Sequence, residues 1–133
     1  MPTLNLEHIA CNVSDPAAMA AWYVEHLGMR VVRRSADPPQ IHFLADAAGR
    51  AVIEIYCNAA DAIPDYAAMN PLRFHIAFAA ADPDAAREAL VAAGATFVDE
   101  RTMPDGSRLL MLRDPWGTPL QLCQRPAPIL AGA

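Results

Sequence analysis

The sequence predicts an α+β fold built from two tandem βαβββ modules, and three observations carry that prediction. The chain resembles itself when shifted by 67 residues: His8 falls on His75, Asp15-Pro16 on Asp82-Pro83, Phe43 on Leu110 and Glu54 on Gln121. Each half runs through the same series of signals, a strand, a helix and three more strands. The strand-like runs alternate apolar and polar residues, the pattern of a strand buried on one face. Each half is too long for a solenoid repeat and suits a duplicated supersecondary module.

Module one spans about residues 4–57. Residues 4–13 alternate and form its expected first strand. Ser14 or Asp15 caps the next helix, with Pro16 in the first turn, where a missing N–H costs nothing. That helix covers residues 17–27 and stops at Gly28. Strands follow at 29–35, 41–46 and 51–57, divided by turns at Pro38-Pro39 and Ala48-Gly49. Residues 58–70 are the linker, with a helical turn expected near residues 64–69. Module two, about 71–125, repeats the plan. It has a strand at 72–79, a helix capped by Asp82 and ended at Gly94, and strands at 95–101, 108–113 and 119–124. Its turns are Pro104-Asp105-Gly106 and Asp114-Pro115-Trp116-Gly117. Residues 126–133 are a loose tail rich in Pro, Ala and Gly. All of residues 1–133 are read as one domain.

The composition is 54% hydrophobic and 19% charged, ordinary for a globular domain and wrong for disorder. A net charge of −5 argues against nucleic acid, which needs a basic surface. No apolar run approaches the ~20 residues needed to span a bilayer, so no membrane role is expected. The first residues lack a basic and apolar leader pattern, so the expected location is cytoplasmic. Cys11, Cys57 and Cys123 are odd in number and include no CxxC pair, which argues against zinc-finger spacing and a disulfide framework. Each sits in an apolar run and is read as a buried small hydrophobe.

Alternation assigns faces to the strands. On the first, Ile9, Cys11 and Val13 oppose His8, Ala10 and Asn12; on the fourth, Ile53, Ile55 and Cys57 oppose Val52, Glu54 and Tyr56. On the fifth, Leu72, Phe74, Ile76 and Phe78 oppose Arg73, His75 and Ala77; on the eighth, Leu120 and Leu122 oppose Pro119, Gln121 and Cys123. One face suits packing under a helix. The other carries one metal-competent residue in each strand: His8, Glu54, His75 and Gln121. An isolated strand histidine is usually structural or solvated. Here 46 residues separate His8 from Glu54 and 46 separate His75 from Gln121, so the four form two equivalent pairs. Imidazole and carboxylate suit Fe, Mn, Co, Ni or Zn, and two His with one Glu make a facial set with open positions.

Further local signals are Leu6-Glu7-His8-Ile9 opening module one, Tyr23-Val24-Glu25-His26-Leu27-Gly28-Met29 closing its helix, and Val52-Ile53-Glu54-Ile55 at its end. Phe74-His75-Ile76-Ala77 opens module two, and Arg113-Asp114-Pro115-Trp116-Gly117 leads into its last strand. With the duplication, these make the chain resemble the vicinal oxygen chelate superfamily, from Leu4 to about Arg125. That superfamily includes glyoxalase I, extradiol dioxygenases, methylmalonyl-CoA epimerase, and fosfomycin- and bleomycin-resistance proteins. The resemblance implies a curved, cup-like mixed sheet with helices on its outer face. It also implies one divalent metal per site (Ni, Co, Zn, Mn or Fe) held by His8, Glu54, His75 and the position of Gln121.

Gln121 departs from the pattern, because metal-binding relatives commonly carry Glu there. An amide oxygen can ligate but has no charge and takes no proton. Glu54 is then the remaining candidate for a catalytic base. The implied activity is on a small substrate with adjacent oxygens, by glyoxalase-I-like isomerase or lyase chemistry in which the metal stabilises an enolate. The alternatives are an Fe(II) extradiol-type dioxygenase and a non-catalytic, bleomycin-resistance-like binding protein. Arg73, Tyr56 and Asn12, on the same faces as the ligands, are the substrate-binding candidates. His42 lies on a strand whose face is not fixed, while His26 and Trp116 are read as structural. Residues 103–105 and the linker are plausible pocket walls. Open sheet edges predict a homodimer. The ligands then come from one chain, or His8 and Glu54 from one subunit and His75 and Gln121 from the other.

Overall fold

A computed structural model describes residues 1–131, so the last two residues of the expected tail lie outside the described residues. The chain divides into two compact units, with the boundary between Pro64 and Asp65, inside the expected linker.

The first unit contains β1 (Ile9–Asn12), α1 (Pro16–Leu27), β2 (Arg30–Arg34), β3 (His42–Ala45) and β4 (Val52–Tyr56). Its sheet has the order β1-β4-β3-β2, with β1 parallel to β4 and the other pairs antiparallel. The second unit opens with a 3₁₀ turn, Tyr66–Ala68, where the sequence predicts a helical turn. It continues with β5 (Ile76–Ala79), α2 (Pro83–Ala92), β6 (Thr96–Thr102), β7 (Arg108–Arg113) and β8 (Pro119–Gln124). Its sheet has the matching order β5-β8-β7-β6. The expected βαβββ plan is therefore present twice, as two separate open sheets of four strands.

Local chemistry starts both helices in the same way. Asp15 Oδ1 accepts from the Ala18 N–H at 3.0 Å, and Asp82 Oδ1 accepts from the Ala85 N–H at 3.0 Å, each ahead of a proline in the first turn. Gly28 ends α1 in the left-handed region, at φ 67°. Met19 and Tyr23 of α1 are buried with Leu44 and Ile55, while Leu90 of α2 is buried with Leu110, Leu112, Leu120 and Leu122. Each helix covers one apolar sheet face, which leaves the opposite face for polar side chains.

Two strands are shorter than alternation predicts. β1 begins at Ile9, and Leu4 and Leu6 are 87% and 83% exposed. Its parallel partner β4 begins at Val52, with Ile9 opposite Ile53, so no strand of this sheet lies beside residues 4–8. Even Ile9, expected on the apolar face, is exposed at this edge. β5 begins at Ile76 rather than at residue 72. Asn70 Oδ1 accepts from the Leu72 N–H at 2.9 Å and the Asn70 carbonyl accepts from Arg73 N–H at 2.9 Å, so a local turn replaces strand pairing.

The repeat is also less uniform than a single shift suggests. Register places Ala10 with Ala77 and Glu54 with Gln121, a shift of 67, but Arg30 with Thr96, a shift of 66, and Phe43 with Met111, a shift of 68. The expected match of Phe43 with Leu110 is thus one residue off. Both modules carry a bulge at the same place, between Val31 and Arg33 and between Phe97 and Asp99.

Candidate functional site

In the first unit, Glu54 sits mid-strand on β4, opposite Ala10 on one side and Phe43 on the other. Its neighbours Ile53 and Ile55 point into the core, so strand alternation turns its carboxylate to the helix-free face. His8, just ahead of β1, meets it there: Nε2 lies 3.1 Å from Glu54 Oε2. The Glu54 side chain is 16% exposed, so this contact offsets part of the cost of withdrawing a carboxylate from water. Nδ1 of His8 lies 3.0 Å from Glu7 Oε1, and the ring stands edge-on to Phe43 at 5.4 Å. Glu7, His8, Val32, Arg33, Phe43 and Val52 line a cavity of about 350 Å³.

The second unit holds the corresponding pair. Gln121 lies opposite Ala77 and Met111 on β8, and His75 immediately precedes β5. The Nδ1 of His75 lies 2.8 Å from the Pro71 carbonyl. A carbonyl only accepts, so Nδ1 carries the hydrogen, and a neutral ring then has its lone pair on Nε2. Gln121 Oε1 accepts from the Cys123 thiol at 3.2 Å. Gln121, Met111, Val98 and Asp99 are among the residues lining a cavity of about 330 Å³. Val98, Asp99 and Met111 are the register equivalents of Val32, Arg33 and Phe43.

The other candidates fall differently. The Asn12 amide closes on the backbone of Asn58, with Oδ1 accepting from its N–H at 2.8 Å and Nδ2 donating to its carbonyl at 3.3 Å. Tyr56 is half-buried at the end of β4. Arg73 is exposed within the turn that displaces the start of β5, so strand alternation does not align it with His75. His42 is buried, with Nδ1 2.8 Å from the Gln40 carbonyl, and is a core residue. Cys11 and Cys123 are buried as expected, and burial pushes the Cys11 thiol up to about 11. Cys57 is only half-buried.

Val32, Arg33, Phe43, Val98, Asp99 and Met111 are among the cavity residues that sequence reasoning missed. They are lateral neighbours set by strand register, and the bulges in β2 and β6 break the alternation that would have revealed Val32, Arg33, Val98 and Asp99.

A divalent ion fits this donor set in part. Ligand atoms about 2.0–2.2 Å from one first-row ion lie roughly 3 Å apart when adjacent, which matches the His8–Glu54 separation of 3.1 Å. Each histidine also carries an acceptor on Nδ1, the arrangement that orients a ligating imidazole through Nε2. Among the described residues, no group of three or more His, Cys, Asp and Glu side chains forms a metal-ligand cluster. In the first unit His8 and Glu54 meet as a pair of donors, whereas in the second unit His75 and Gln121 each have a separate partner, the Pro71 carbonyl and the Cys123 thiol.

Comparison with known proteins identifies this architecture. Residues 8–123, from the first candidate ligand to just past the last, match the glyoxalase-like domain family. The chain belongs to the glyoxalase-like domain family. No curated protein matches it. Its fold is similar to a glyoxalase family protein from Bacillus cereus, with a TM-score of 0.78, 17% identity, and coverage of 94% of this chain and 96% of that one. A glyoxalase-related enzyme from Fulvimarina pelagi gives a TM-score of 0.70 at 20% identity, covering 97% of this chain and 94% of that one. TnmS3, an antibiotic binding protein from Streptomyces sp. CB03234, gives 0.69 at 18% identity, covering 92% and 99%. At these identities the likeness shows the fold alone. The glyoxalase-like fold thus supports enzymes and small-molecule binders alike. Among the described residues, no helix of this glyoxalase-like chain is long and apolar enough to cross a membrane.

Proposed function

We propose that this glyoxalase-like protein is a metal-dependent enzyme acting on a small substrate with adjacent oxygens, by isomerase or lyase chemistry of the glyoxalase I kind. The observation that carries the reading is the 3.1 Å approach of His8 Nε2 to Glu54 Oε2 on the helix-free face. Gln121 holds the register position of Glu54, and His75 immediately precedes β5 as His8 precedes β1. His8, Glu54, His75 and Gln121 are the ligand positions. A bound divalent ion (Ni, Co, Zn, Mn or Fe) supplies Lewis acidity, offsetting the charge that grows on a substrate oxygen as a proton leaves the adjacent carbon. Glu54 is the group that takes that proton on a carboxylate oxygen, since the Gln121 amide takes none. Phe43 and Val32 give the cavity apolar walls and Arg33 lines it for a polar contact to the substrate. Tyr56 and Arg73 are further positions for such contacts, whereas the Asn12 amide is already engaged by the Asn58 backbone.

On this reading each unit contributes two of the four ligand positions. A homodimer of a cytoplasmic protein, with all three thiols free, is the assembly we propose. A monomeric mass by light scattering at micromolar concentration would refute that assembly.

One observation favours a second reading. The Cys123 thiol donates to the Gln121 amide oxygen. If that oxygen stays off the ion, the set reduces to His8, Glu54 and His75, the residue types of an Fe(II) dioxygenase's facial triad. Likeness to an antibiotic binding protein favours a third, a non-catalytic binder.

Elemental mass spectrometry of freshly purified protein, beside the His8→Ala/His75→Ala double variant, separates them. The expected result is about one ion per site in wild type and none in the variant. Ni, Co or Zn supports the isomerase or lyase, and Fe or Mn the dioxygenase. Absence of any ion, with none gained on titration, overturns both enzyme readings and leaves the binder.

A further inference from the structure

Arg113, at the end of β7, spends its guanidinium on main-chain carbonyls. Nη1 donates to Tyr66 at 2.7 Å and to Gly117 at 3.1 Å, and Nη2 donates to Met69 at 2.7 Å. Tyr66 and Met69 bracket the 3₁₀ turn, which Asp65 caps through the Ala68 N–H at 3.1 Å. A planar fork of five donors suits this task in a way that a lysine does not. Gly117 packs directly against the same turn. A Cβ there would stand 2.6 Å from the Ala67 Cβ and 2.8 and 2.9 Å from its Cα and N. The loop that carries Gly117 is itself fixed, because buried Asp114 accepts from the Trp116 and Thr118 N–H groups at 2.9 and 2.8 Å.

The clamped turn leads directly to a candidate ligand. After Met69 the chain enters the Asn70 turn, and the Pro71 carbonyl accepts the Nδ1–H of His75 at 2.8 Å. We infer that Arg113 and Gly117 are positioning residues for His75: by clamping residues 66–69 they place the Pro71 carbonyl where it holds the imidazole in its Nδ1–H form. Nε2 is then the nitrogen left for a ligand. The consequence for metal binding rests on the metal-dependent reading above, whereas the tautomer does not.

The test is ¹⁵N-histidine NMR of the metal-free full chain at mildly alkaline pH, where multiple-bond ¹H–¹⁵N correlations report the tautomer. The expected result is a single Nδ1–H form of His75 in wild type and a mixture with the Nε2–H form in Arg113→Ala and Gly117→Ala. Arg113→Lys guards against a variant that fails to fold: it keeps the charge, cannot bridge three carbonyls, and gives the same mixture. Zn(II) affinity falls about 10- to 100-fold in each. Arg108→Ala, which cuts ion pairs to Asp84 and Glu100, loses stability without moving the His75 signals. An unchanged tautomer in the folded clamp variants, or an equal change in Arg108→Ala, would overturn the inference. A tautomer that moves in a protein taking up no metal supports the positioning and defeats the metal reading; metal uptake with an unmoved tautomer does the reverse.

Discussion

Glu54 and Gln121 hold the same place in their own sheets, Glu54 opposite Ala10 and Phe43 and Gln121 opposite Ala77 and Met111. The repeat keeps the position and changes the side chain from a carboxylate to an amide. Restoring the carboxylate with Gln121→Glu is expected to tighten Zn(II) or Ni(II) binding about tenfold or more, because it adds a charged oxygen donor. Competitive titration against a chelator of known affinity measures the change. Unaltered affinity would show that position 121 does not reach the ion.

The two carboxylates around His8 have different expected weights. On the metal-dependent reading, Glu54→Gln exchanges a charged donor for a neutral amide that takes no proton, and is expected to weaken metal binding about tenfold or more, with loss of turnover. Glu7→Gln alters only the acceptor on Nδ1 and is expected to cost about tenfold. Equal loss of turnover in the two variants, measured beside metal titration of both, would contradict these roles.

Gly117 and Gly28 both have positive φ, at 87° and 67°, yet replacing them costs different amounts. A Cβ at Gly28 meets nothing within 4 Å, so Gly28→Ala carries only the backbone cost, about 1 kcal/mol. Gly117→Ala adds a collision with the Ala67 backbone and is expected to cost roughly 2–3 kcal/mol, or about 10 °C in Tm. Thermal unfolding of the two variants decides it, and equal shifts would deny the close packing.

Arg108 grips Asp84 with two hydrogen bonds, at 2.9 and 3.0 Å, and the first of these effects to count is that hydrogen bonding, which lowers the Asp84 carboxyl from its ordinary value of 3.8. A group depressed in the folded state stabilises above its unfolded value and stops doing so as pH falls through its folded value. The stability gap between wild type and Arg108→Ala is therefore expected in full at neutral pH and to close below about pH 4. Unfolding curves at a series of pH values check this, and a gap that persists in strong acid would exclude the ion pair as its source.

Cys11 is buried and its thiol is raised by that burial to about 11, whereas Cys57 is half-buried. Cys57 is expected to react with a thiol reagent at pH 8 in the native protein, and Cys11 only on unfolding. The raised thiol also means that stability contributed by its burial is lost as pH climbs from the unfolded value of 9.0 toward about 11. Mass spectrometry of labelled peptides gives the order, and early labelling of Cys11 would place it at the surface.

Local chemistry was legible in the residues themselves. Asp15 and Asp82 before their prolines, and Gly28 after Leu27, start or stop helices through groups a few residues apart, and the structure places them so. The bounds of β7 and β8 also match the expected 108–113 and 119–124. The four candidate ligands could be picked out because alternation fixes a face and the repeat supplies an independent check on it.

Tertiary structure decided everything that depends on which strand lies beside which. Residues 4–8 alternate like a strand but have no neighbour in their sheet, and Asn70 turns the chain before β5 can start. Sequence alone determined that the chain folds as two βαβββ modules, with Glu54 and Gln121 at equivalent positions on their fourth strands. Only the folded chain decided that His8 touches Glu54, that Phe43 and Arg33 join them, and that the Asn12 amide is spent on Asn58. The reason is physical: caps and alternation act over a few residues, whereas strand register, and the bulges at Val31/Arg33 and Phe97/Asp99, arise from hydrogen bonding between segments distant in the chain.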